Sequence, residues 1–151
     1  MKLLDIVDAI NTRLVEKWPN RTVYIDVCPV DFARPSFWLT VEKHEQSDAN
    51  CLFVKREAQL KLTIFDEKDE HYEASWRRLF QDTEDAMVLL TPPLKAAGRT
   101  VPLQIKVLPR DPDAAYLQLT MSWLDNRPTA DTGTKPPDAK TAQVRVEITN
   151  R

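Results

Sequence analysis

The sequence predicts an α+β fold: a mostly antiparallel sheet with two helices packed on one face, followed by a tethered C-terminal strand. Three observations predict it. The stretch Phe53 to Phe65 alternates over its whole length, with Ala58, Leu60, Leu62 and Ile64 on one side and Lys55, Glu57, Gln59, Lys61 and Thr63 on the other, the period of a half-buried strand. Two segments, from Leu3 and from Asp66, instead repeat apolar residues at three- and four-residue steps, the period of an amphipathic helix. The order of segments is helix, three strands, helix, two strands, which suits two helices layered on one side of an antiparallel sheet.

Along the chain, Leu3, Val7, Ile10, Leu14 and Trp18 form the stripe of the first helix, and Pro19 ends it because it cannot donate to the preceding turn. Thr22 to Cys28 alternates through Val23, Ile25 and Val27 until Pro29. After the Arg34-Pro35 breaker, Phe37, Leu39 and Val41 share a face while Trp38, Thr40 and Glu42 take the other, and the strand runs out in the polar loop His44 to Asn50. With Phe53 to Phe65 as the central strand, three consecutive strands are expected to form a meander.

The second helix is expected from Asp66 onward. Tyr72, Trp76, Leu79, Phe80, Thr83, Met87 and Leu90 line one side, Pro92-Pro93 closes it, and Asp66, Glu67, Asp69 and Glu70 crowd its start, where carboxylates suit the free amides and positive end of the dipole. Val101, Leu103, Ile105 and Val107 then pair as a hairpin with Leu117, Leu119, Met121 and Trp123, with Pro102 marking a strand start or a sheet edge. Domain organisation follows: an α+β domain over 1–125, a linker over 126–141 rich in Pro and poor in large aliphatics, and an arm over 142–151 in which Val144, Val146 and Ile148 alternate with Arg145, Glu147 and Thr149. The 16-residue linker has a root-mean-square reach of roughly 20 to 24 Å and a taut limit near about 50 Å. Its strand therefore reaches either its own sheet or a neighbouring subunit's.

Composition removes several function classes. Charged residues make up 29% of the chain and the net charge is -2, so no global field draws it to nucleic acid or to an acidic membrane. A chain of this length buries enough surface for a core without staples, and Cys28 and Cys51 fit neither a zinc pattern nor a redox pair. Asp5 and Asp8 interrupt the apolar start and no apolar run of membrane-spanning length occurs, so a protein of the cytoplasm is expected. Two glycines, Gly98 and Gly133, cannot build a phosphate-cradling loop. The four serines lie in no nucleophile elbow, and neither His44 nor His71 has a partner at ligand spacing. No catalytic residue, metal ligand or cofactor is expected. His44 is read as capping a strand end, His71 as lying on the first helical turn, and Trp18, Trp76 and Trp123 as core.

Surface residues are the remaining candidates. Trp38 lies opposite Phe37 and Leu39, which suits either a second-face core or a protein interface; Lys55, Glu57, Gln59 and Lys61 mix charge signs on one face, as at an intersubunit or lumen-facing surface where charge pairs fix register more than affinity, with plain solvent exposure as the alternative. Val144, Val146 and Ile148 are the candidate residues of a strand that augments another sheet.

At the level of strings and order, LLDIVDAINTRLVEKWPN, RPSFWLTV, REAQLKLTIF leading into a long helix, and the detached QVRVEITN together resemble the tail terminator family of tailed phages and phage-like contractile elements. The resemblance covers about 1–123 and the last few residues, and implies no enzyme. It implies a homohexameric ring on the head-proximal end of the tail tube, which ends polymerisation and offers the attachment surface for neck and head. Implied partners are further copies of the chain, the tail tube protein, the neck or head-completion protein and, in contractile tails, the sheath; no membrane or sequence-specific nucleic acid is implied. Assembly in the host cytoplasm and residence in the virion tail follow. Another neck or head-completion adaptor, and a small enzyme or ligand-binding module with a site assembled from distant residues, stay open.

Overall fold

A computed structural model describes residues 1–71 and 74–129. Most of the expected linker, the whole 142–151 arm with Val144, Val146 and Ile148, and Tyr72 of the expected helix stripe lie outside the described residues.

Helix α1 (Leu3–Lys17) forms where the stripe predicts it, burying Ile6, Val7, Ile10 and Leu14. The Asp5 carboxylate accepts the Lys2 backbone N–H at 2.7 Å, and the Trp18 N–H closes the last turn on the Leu14 carbonyl at 2.9 Å. Strands β1 (Thr22–Ile25), β2 (Ser36–Asp48) and β3 (Phe53–Phe65) follow, then α2 (Trp76–Leu90), the short pair β4 (Leu94–Ala96) and β5 (Arg99–Val101), and finally β6 (Gln104–Asp111) and β7 (Ala114–Asn126). The fold is α+β as predicted. Its five-stranded sheet runs β1-β2-β3-β7-β6, and β4-β5 form a second, two-stranded sheet.

The central position of β3 holds: it pairs antiparallel with β2 along one side and with β7 along the other. The meander does not hold. β1 is shorter than expected and lies parallel to β2, Thr22 opposite Ser36 and Ile25 opposite Leu39. At Asp26 the backbone enters the left-handed region (φ 65) while its N–H still bonds the Leu39 carbonyl at 2.9 Å. The chain then returns over 27–35 to begin β2 beside the start of β1.

The loop expected at His44 to Asn50 is also corrected, because β2 continues to Asp48. Ladder bonds depend on the backbone and tolerate side chains that face water on both sides. A bulge between Val41 and Lys43 shifts the alternation. Beyond Asp48 the Asn50 side-chain carbonyl accepts the N–H groups of Leu52 and Phe53, both at 2.9 Å, which closes the turn.

Helix α2 starts ten residues later than the sequence suggested, after Ser75, with no acidic residue in its first turn. The carboxylates over 66–70 therefore do not sit on its dipole: Asp66 is buried at the end of β3, and 67–71 lie in a loop where Lys68 forms an isolated bridge with Ala74. His71 lies in that loop, not on a helical turn, and its backbone N–H bonds the Asp69 carboxylate at 2.8 Å. The core is one cluster in which Leu60, Leu62 and Ile64 meet Ile6, Ile10 and Leu14 of α1 and Leu79, Ala86 and Leu90 of α2. Arg13 donates to the carbonyls of Pro92 and Pro93, both at 2.7 Å, tying α1 to the end of α2. Val101, expected in the hairpin, belongs instead to β5, whose turn from β4 uses left-handed Ala97 (φ 48) and Gly98 (φ 73), the backbone of a two-residue hairpin.

Candidate functional site: the helix-free face of the sheet

Because side chains alternate, the burial of Leu60, Leu62 and Ile64 under the helices sends Lys55, Glu57, Gln59, Lys61 and Thr63 to the other face. Register extends that face sideways. Trp38, Thr63, Tyr116 and Leu108 form one cross-strand row, and Thr40, Lys61, Gln118 and Lys106 form the next. Farther along, Glu57 stands between Glu45 and Ser122, and Lys55 between Ser47 and Leu124. Trp38, Lys55, Glu57 and Lys61 thus share one surface.

The electrostatics of this face are local. Glu45 and Glu57 are directly opposed, an arrangement that costs stability when unrelieved. Lys43 pairs with Glu45 at 2.9 Å and Lys55 with Glu57 at 3.8 Å, and the hydrogen bond to Glu45, then its charge, raises the Lys43 pKa. The Lys61 ammonium sits 4.3 Å from the centre of the Tyr116 ring, a cation–π contact. Burial, then a hydrogen bond to Asp111, push the Tyr116 phenol up to about 12. Trp38 is half-buried and spends its indole N–H on the Asp26 carbonyl at 3.1 Å, so its polar edge is already used inside the chain. At the start of β6, Lys55, Glu57, Gln104 and Ser122 line a polar hollow of about 320 Å³.

Among the described residues no three His, Cys, Asp or Glu side chains are placed to hold a metal ion, and no helix is long and apolar enough to cross a membrane. His44, expected to cap a strand end, lies within β2 and stacks on Trp123 with ring centres 6.1 Å apart. Cys28 is half-buried and Cys51 exposed, both as free thiols; burial pushes the Cys28 thiol up, against the charge of Arg34.

Three features escaped the sequence reading. Asp125 gathers Arg99 at 2.6 Å, the Met1 ammonium at 3.2 Å and Arg56 at 3.3 Å, groups that no local pattern brings together. Arg21 pairs with the buried Asp82 at 2.8 Å and lies over the rings of Trp18 and Phe37. The apolar stripe of α2 is split as well: Leu79, Thr83 and Leu90 are buried, but Trp76 and Phe80 are 53% and 51% exposed, so the core reading of Trp76 is corrected. Trp123 is buried and Trp18 packs on Phe37 at 4.9 Å, as expected. The missed signal at α2 was an apolar arc too wide for one helix to bury, since Val88 adds to it at 73% exposure.

Comparison with known proteins adds a family. No curated protein matches the chain. A solved structure named only by a code is similar over 87% of this chain and 99% of its own, at 13% identity and a TM-score of 0.43, a likeness too loose to bear on function. A family profile described as phage tail terminator protein matches residues 5–82, from α1 through the sheet's first three strands into α2. With just over half of its length inside that match, the chain belongs to the phage tail terminator family and is a structural protein of a phage tail.

Proposed function

We propose that this chain forms a closed ring on the head-proximal end of the tail tube, ends tube polymerisation there and presents the surface to which neck and head attach. The observation that carries the reading is the helix-free sheet face with its mixed charges at Lys43, Glu45, Lys55, Glu57 and Lys61. A contact of this kind aligns copies through matched charge pairs and sets which face meets which. Two sheet edges, β1 and β6, leave the same domain with two different sides, and head-to-tail contacts between unlike sides close into rings when the rotation allows. Six copies, the tail tube below, the neck protein above and the sheath in contractile tails complete the reading; no catalytic step is required. Assembly takes place in the host cytoplasm.

Native mass of the full chain over a concentration series tests the proposal, together with sedimentation on purified tail tubes. A closed species of about six chains, free or on the tube end, is the expected result. A monomer at every concentration that also fails to bind tubes would overturn it.

A further inference from the structure

The outer strand β6 and helix α2 leave an apolar groove of about 320 Å³ between them, lined by Phe80, Thr83, Met87, Val107 and Leu108. Phe80 and Val107 are 51% and 49% exposed, and Trp76 extends the patch, edge-on to Phe80 at 5.8 Å. Along the same line β6 ends the sheet, so among the described residues its outer backbone edge has no strand partner. An open edge beside an apolar groove is suited to strand addition, in which main-chain bonds supply affinity and alternate side chains enter pockets.

The chain carries a segment of matching form. Val144, Val146 and Ile148 alternate with Arg145 and Glu147, and from Val144 to Ile148 an extended segment covers about 13 Å, as does β6 from Gln104 to Leu108 before Pro109 removes a donor. Where the described chain leaves the fold decides which β6 it meets. β7 has 13 residues, about 40 Å of strand, and the chain exits at its Asn126 end, beside the β2-β3 turn. An added strand antiparallel to β6 over Gln104 to Leu108, the commoner pairing, starts near Leu108, which lies opposite Tyr116 of β7. Reaching its own β6 thus asks the linker to span about 33 Å along β7, roughly one and a half times its relaxed reach of about 20 to 24 Å. A neighbouring copy whose β6 lies nearer the exit requires no such stretching.

We infer that the 142–151 arm adds as an antiparallel strand to β6 of the adjacent copy, with Val144, Val146 and Ile148 in the groove beside Phe80 and Val107. The inference rests on the ring reading above. It makes each subunit's arm the clasp on the next, and it assigns the exposed Trp76, Phe80 and Val107 to one interface.

The test uses full-length chains in which Cys28→Ser and Cys51→Ser remove the native thiols. Chains carrying Val144→Cys, Val146→Cys or Ile148→Cys in turn are mixed with differently tagged chains carrying Val107→Cys, oxidised mildly and resolved without reductant. The expected result is a disulfide between unlike chains for at least one arm position, at least tenfold above a Val30→Cys control on an exposed loop. No excess over the control, or a bond that closes only within one chain when both cysteines are on it, would overturn the inference. Native mass separates the two readings. A closed ring that survives deletion of 142–151 sinks the arm and spares the ring, whereas a full chain that closes neither alone nor on tail tubes sinks the ring itself.

Discussion

Asp125 shows how much one side chain can hold. Burial alone would raise its pKa, but hydrogen bonds from the Trp123 indole and the Met1 ammonium, that ammonium's charge and a hydrogen bond from Arg99 outweigh it and hold the carboxyl below its ordinary value. Arg56 approaches the second oxygen at 3.3 Å. The node joins the end of β7 to the start of α1, to β3 and to β5, elements far apart in the chain. Asp125→Asn keeps the shape and removes the charge, leaving cations around a neutral amide. We expect a loss of about 2 kcal/mol in urea unfolding near neutral pH, of the size seen for a partly buried, hydrogen-bonded charge. The sign with pH follows from the lowered folded value. The carboxylate's contribution is fully present above the unfolded value of about 3.9 and is lost as pH falls through the lower folded value. The gap between wild type and Asp125→Asn should therefore close only in acid below about pH 4; a gap that instead narrows between neutral pH and pH 5 would contradict the assignment.

At the scale of elements, β3 organises the fold because its period is unbroken, and the prediction it supports is an alternating one. Leu60 is fully buried between helices and sheet neighbours, so Leu60→Ala should cost about 2 to 5 kcal/mol. Gln59, half-buried on the opposite face and bonded to Glu42 at 2.9 Å, should cost less than about 0.5 kcal/mol as Gln59→Ala. Chemical unfolding of the two variants side by side checks this, and comparable losses would mean that the helix-free face is itself core. Unbroken periods, of two residues in β3 and β7 and of three to four in α1, are what made these elements legible in the sequence. What stayed hidden follows from physics that a local window does not contain. β1 and β2 alternate whether they run parallel or antiparallel, and the left-handed turn at Asp26 that makes them parallel carries no glycine. His44 to Asp48 is polar on both faces because the β2-β3 ladder runs past the helix layer, so no alternation marked it. Trp76 and Phe80 fit a helical stripe by spacing, yet α2 turns them past the edge of the sheet. Of the candidate interface, the shared face of Lys55, Glu57 and Lys61 was readable from period two, while the place of Trp38 on it and its width across β7 and β6 depended on long-range register.

For the whole molecule, the balance of charge decides what kind of association to expect. A net charge of -2 with neighbouring ion pairs of both signs offers little long-range attraction, and exposed pairs contribute about 0 to 1 kcal/mol each. In the proposed clasp, the apolar groove at α2 and β6 and the alternating arm would make the contacts that salt leaves in place. Association that buries them stabilises the folded chain by mass action, because the unfolded chain does not assemble. The thermal midpoint of the full-length protein should therefore rise with protein concentration, by several degrees over a hundredfold range, and should change little between about 0.1 and 0.5 M salt, where the Debye length shrinks from about 10 Å to less than half of that. The chain lacking 142–151 should melt at one temperature at every concentration. Differential scanning fluorimetry over matched series reads both. A midpoint that climbs with concentration only at low salt would assign the association to the charged sheet face rather than to the arm, and one that stays flat for the full chain would leave closure to the tail tube, with the ring forming only where its lower partner is already in place.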